Sequence, residues 1–100
     1  MVTAAAAGNL DAYMRADHAL DLVNHLASEN RSAVNCVVPL IVQCRRFWYA
    51  YQYEGEMGEG ARAHLQLAEG IASSDEAAAV RGASALLDYL ESFARRVIER

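Results

Sequence analysis

One hundred residues with 54% apolar content, six Gly and a single Pro specify one packed domain and exclude a disordered or fibrous chain. Thirteen acidic side chains against nine basic ones, all nine of them Arg, leave a net charge of −4, which excludes general attraction to a phosphate backbone or an anionic membrane. The longest apolar run, Val37 to Val42, is interrupted by Pro39 and followed by Gln43, far short of the roughly 20 residues that cross a membrane.

The opening Met1-Val2-Thr3-Ala4 lacks the positive start and long apolar centre of a secretory signal, so a cytoplasmic location is expected. Twenty alanines, with many Leu, Glu and Arg, weight the chain toward helix, and no stretch combines alternation with hairpin turns. The expected architecture is all-α, a single domain over residues 1–100 folded as an antiparallel bundle of about four helices. The first helix opens at Asn9 or Asp11 as N-cap and runs to Ser28. The second starts after Asn30, with Ser32 near its cap, and continues to about residue 53. Pro39 removes one backbone donor inside it, predicting a kink near residues 33–38 or two helical pieces, while the β-branched residues of 34–42 offer a strand as the competing reading. Cys36 and Cys44, eight residues or about 12 Å apart on one helix, cannot bridge each other and read as reduced, mostly buried small side chains.

Residues 54–60, Glu-Gly-Glu-Met-Gly-Glu-Gly, form the clearest loop signal, with three glycines in the six residues 55–60. A third helix is predicted over residues 61–72 and a fourth over 75–99, the latter introduced by Ser73 with Glu76 at capping-box spacing. So short a connection makes these two helices antiparallel neighbours. Val80, Ala83, Leu87, Leu90, Ala94 and Val97, widened by Leu86, Phe93 and Ile98, form the apolar stripe of the fourth helix, and Arg95, Arg96 and Arg100 complement its dipole.

On the first helix, Leu10, Tyr13, Met14, Asp17, Asp21 and Asn24 fall within about 100° of one another. Asp17 and Asp21 are four apart and repel unless a cation lies between them. A divalent metal joined by an imidazole from another helix is one solution, and a solvated or Arg-paired stripe is the other. His64 sits on the inward face of the third helix with Ala61, Leu65, Ala68 and Ile71, where a hydrogen-bonded core His competes with a ligand. The aromatic run Arg45-Arg46-Phe47-Trp48-Tyr49 reads first as core or interface packing, with a ligand pocket or stacked bases as alternatives. No phosphate loop, nucleophile elbow or Ser/His/Asp grouping is present, so no enzymatic activity is expected.

Two stretches together resemble a known family. Ala16-Asp17-His18-Ala19-Leu20-Asp21, then Leu26-Ala27-Ser28-Glu29-Asn30, Pro39-Leu40 and Arg45-Arg46-Phe47-Trp48, look like the middle of the FCD domain, the all-helical effector-binding domain of FadR-type GntR transcription regulators. His64 to Ile71 followed by Ser74 to Ala79 matches its later signature. The resemblance covers most of residues 16–98. It implies a divalent metal, Zn, Mn, Ni or Fe, held by an Asp, a His one turn on, a His of the penultimate helix and a His of the last. Asp17 matches the first position and His64 the third; Asp21 stands at the second, and Leu86, which cannot coordinate, at the fourth. The implied metal set is therefore Asp17, Asp21 and His64, and it is incomplete. The implied effector cavity is lined by Tyr13, Asp17, Asp21, Asn24, His64 and Leu86. From this follows the expected function, a ligand-sensing and dimerising domain that binds a small organic acid, forms a homodimer, and meets DNA only through a winged helix-turn-helix domain that these 100 residues do not contain. The domain's opening helices are expected to be missing or eroded, since Met1 to Arg15 leaves little room for them. The alternatives are a structural helical dimerisation module without a ligand and a metal-dependent enzyme using Asp17, Asp21 and His64.

Overall fold

Asn9 sets where the first long helix begins. In the computed structural model, which describes residues 1–52 and 56–99, its side-chain oxygen accepts a hydrogen bond from the Ala12 amide at 3.0 Å, and the helix runs Leu10–Ser28 (α2). Before it, Val2–Ala6 form a five-residue helix (α1), so the opening residues do hold a helical turn, which packs on α2 and α4. Glu29 ends α2 in the left-handed region at φ 54°, and Asn30 caps the next helix by accepting from the Ala33 amide at 3.0 Å.

That helix, Arg31–Ala50 (α3), continues through Pro39 as one element, neither split nor replaced by a strand. Proline leaves the carbonyl four residues earlier without its intrahelical partner. Here that half of the helix is open to water, with Val38 and Leu40 exposed, so the freed carbonyl can be solvated. The same exposure corrects the expectation for the cysteines: Cys36 and Cys44 are free thiols, but both are exposed rather than buried. Tyr53, Glu54 and Gly55, where the sequence reading ends this helix and opens the glycine-rich loop, lie outside the described residues.

Of the rest of the expected loop, Glu56 is an N-cap and residues 57–60 are helix. Met57–Ala72 (α4) begins four residues before the predicted start, through Gly58 and Gly60. Gly60 is present for proximity rather than for a turn: a Cβ there would sit 2.5 Å from the Tyr13 hydroxyl and 3.2 Å from the Tyr89 ring. Ser73 closes α4 by donating to the Glu69 carbonyl at 2.8 Å, and Asp75, not Ser73, caps the last helix by accepting from the Ala78 amide at 3.0 Å. The predicted capping box is thus displaced by two residues, because the hydroxyl is already used by the preceding helix.

The last helix spans Glu76–Glu99 (α5). A Cβ on Gly70 would collide with the backbone of Ala78 and Ala79, and one on Gly82 with the backbone of Gln66 and Leu67. These contacts fix α4 and α5 as antiparallel and in direct backbone approach. They also rotate the buried stripe of α5 onto Gly82, Tyr89, Phe93 and Val97, leaving Val80, Leu87 and Ile98, assigned to the stripe by periodicity, 58%, 66% and 75% exposed. For the same reason Leu65 and Ile71 of α4 are exposed while Gly60, Ala61, Ala63 and Gly70 are buried.

Tyr13, Trp48, Ala61, Phe93 and Val97 form the core. Tyr13 stacks on Trp48 with centroids 5.4 Å apart, Trp48 meets Phe93 at 6.2 Å, and the indole N–H donates to the Tyr89 hydroxyl at 3.2 Å. Among the described residues all regular structure is helical, as the composition predicts.

Candidate functional site

Tyr13, Asp17 and Asp21 recur every four residues on α2, so burying the tyrosine carries both carboxylates inward with it. On α3 the buried Trp48 does the same for Arg45, three residues earlier. Asp17 and Asp21 meet Arg45: its Nε donates to Asp17 Oδ2 at 3.2 Å and its Nη2 to Asp21 Oδ2 at 2.6 Å. His64 of α4 closes the group, with Nε2 3.0 Å from Asp17 Oδ1 and Nδ1 2.7 Å from the Gly60 carbonyl.

A carbonyl oxygen only accepts, so Nδ1 carries a proton; Asp17 as a carboxylate also only accepts, so Nε2 carries one too. The imidazole is a cation held between two acceptors. Burial alone would lower its pKa, but the hydrogen bonds to Asp17 and the Gly60 carbonyl, reinforced by the charges of Asp17 and Asp21, raise it above the ordinary value. For Asp17, burial works against ionisation and is outweighed by the hydrogen bond and charge of His64, then by those of Arg45, which hold the carboxyl below its usual range. Asp21 goes the other way: burial, then the Asp17 charge, push it up, and Arg45, His25 and His64 offset only part of the rise. Burial, with Tyr89 and Asp17 adding, pushes the Tyr13 phenol up, so it stays neutral.

This group borders a half-open cavity of about 330 Å³ between α2, α3, α4 and α5, with Leu40 and Leu87 at its exposed rim. Its lining is otherwise mostly apolar, with Met14, Leu40, Ile41, Cys44, Trp48, Leu86, Leu87 and Leu90 beside Tyr13 and Tyr89. An apolar hollow of this size with a few convergent polar groups is the usual form of a small-ligand site. Of the six residues expected to line it, Tyr13, Asp17, Asp21, His64 and Leu86 are brought together; Asn24, one turn nearly further along α2, is not on its wall. Arg45 is the residue the sequence reading missed at this site, having placed it in the aromatic run. Two inward carboxylates at i, i+4 already required a cation, and the i, i+3 spacing from Trp48 was the signal that could have identified it.

The donor set does not fit a metal as arranged. Both Asp17 oxygens are engaged, Arg45 stands between the carboxylates, both imidazole nitrogens face acceptors, and Leu86 offers no lone pair. Among the described residues, no group of three or more His, Cys, Asp or Glu side chains is placed to hold an ion.

A family model of the FCD domain matches residues 1–89. No curated protein and no solved structure matches the chain.

Proposed function

Because the chain belongs to the FCD domain family, the effector-sensing regulatory domains of GntR-type transcription regulators and not a family of enzymes, we propose that its cavity binds a small organic acid and that the domain works as a homodimer. The observation that carries this reading is the wall formed by Asp17, Arg45, Asp21 and His64 on an otherwise apolar hollow. With Asp17 and Asp21 ionised and Arg45 and His64 protonated, the four charges cancel, so an entering carboxylate meets no net repulsion. A guanidinium has five N–H donors, and two are used on Asp17 and Asp21. The others suit a carboxylate in the bidentate manner that arginine favours. The apolar lining would take the rest of the molecule, and occupancy would bias an attached winged helix-turn-helix domain through a difference in affinity between two arrangements of the dimer.

A thermal-shift screen of organic acids tests the reading. One chemical class should raise the unfolding midpoint in proportion to the logarithm of its concentration. Asp17→Ala should remove that response while leaving the dimer intact. Loss of response and dimer together makes Asp17 a structural residue. A second reading, a dimerisation module that binds no small molecule, is favoured by one observation: Arg45 already satisfies both carboxylates. It predicts no midpoint shift with any acid.

A further inference from the structure

Three side chains of metal-ligating type stand on the cavity wall, but not in an arrangement that holds an ion, and a protein cation lies among them. Asp17, Asp21 and His64 converge from two helices, and the Gly60 carbonyl fixes the His64 ring through Nδ1, turning Nε2 toward Asp17. This is the outer support that metal-ligating imidazoles have. Where an ion would stand, Arg45 donates Nε to Asp17 Oδ2 at 3.2 Å and Nη2 to Asp21 Oδ2 at 2.6 Å. A bound ion needs those oxygens within about 2.2 Å of itself, and it cannot have them while the guanidinium holds them. Arginine does not lose its proton in the working pH range, so its charge is permanent.

We propose that Arg45 is the resident cation of this cavity, which holds Asp17 and Asp21 together in place of a divalent metal and keeps one out. Metal exclusion does not depend on what the cavity senses. Where it senses an organic acid, as proposed above, the acid meets the guanidinium directly.

The test needs no effector. The purified chain is stripped with chelator, offered zinc, manganese or nickel chloride, desalted, and assayed for retained metal and unfolding midpoint. The wild type should retain none, and its midpoint should not move. Arg45→Gln should retain about one equivalent and gain midpoint with metal, and adding Asp17→Ala to Arg45→Gln should abolish both effects. Should Arg45→Gln prove insoluble, Arg45→Met combined with Asp21→Asn lowers the facing charge and keeps three donors, and one retained equivalent is again expected. Stoichiometric metal on the wild type that Asp17→Ala removes overturns the proposal, as does a folded Arg45 variant that takes up none. Either failure leaves the sensing reading standing, because no organic acid enters the experiment.

Discussion

At the scale of single residues, the pairing of Asp17 with His64 makes stability depend on pH with a definite sign. His64 has a raised folded pKa, so its contribution is complete below the ordinary imidazole value of 6.5 and is lost as pH rises through the higher folded value. Asp17 has a lowered one, so its contribution is complete above the ordinary carboxyl value of 3.8 and is lost as pH falls through the lower folded value. The pair therefore stabilises most between 3.8 and 6.5. Urea unfolding of the wild type and His64→Gln across pH should show the widest gap in that window, narrowing on both sides; a gap that is flat with pH contradicts the ion pair. Asp17→Asn should cost about 2 kcal/mol, the size of a hydrogen bond to a charged group. Asp21→Asn should cost less, because the fold already disfavours that charge. The two carboxylates were legible in the sequence because helical spacing and a buried tyrosine set their direction. The inward face of His64 was legible too, from its apolar neighbours; its hold on the Gly60 carbonyl was not, since that glycine reads, in sequence, as loop.

Among elements, α4 and α5 are joined by the backbone approaches at Gly70 and Gly82. Elsewhere in a helix, Gly→Ala gains up to about 1 kcal/mol from propensity. Here the added methyl meets main chain that cannot rotate away, so Gly70→Ala and Gly82→Ala should each lose about 2 kcal/mol or more, read by chemical denaturation. A neutral or stabilising result would mean that the helices separate at little cost. The helices themselves were plain from composition: Asn9 is one of the two caps the reading offered for the first, while the second is capped by Asn30 where the reading put Ser32 near the cap. Which face of α5 turns inward was not plain. Its leucines offer two neighbouring stripes, and the choice between them is made by Gly82, whose contribution is the absence of a side chain.

For the whole molecule, uncovered apolar side chains lie on the second half of α2 and the first half of α3 as well as on the outer faces of α4 and α5. Val23, Leu26 and Leu40 are 62%, 83% and 65% exposed. Exposed leucine and valine side chains of this kind suit an association surface, and FCD domains of GntR regulators dimerise. The chain should therefore sediment as a dimer at micromolar concentration, and Leu26→Glu, which is not on the cavity wall, should shift it toward monomer without altering helical content. A monomeric wild type would move dimerisation off these 100 residues. No helix among the described residues is long and apolar enough to cross a membrane, so that surface is not a membrane span.

The glycine seam between α4 and α5 also governs how the hollow can change shape. His64 rides on one of those helices and Leu86 and Tyr89 on the other, so the three travel as a single jaw. Facing it, α2 bears Asp17 and Asp21 and α3 bears Arg45. A guest that moved that jaw away from α2 would strain the bond from His64 to Asp17, the latch between them.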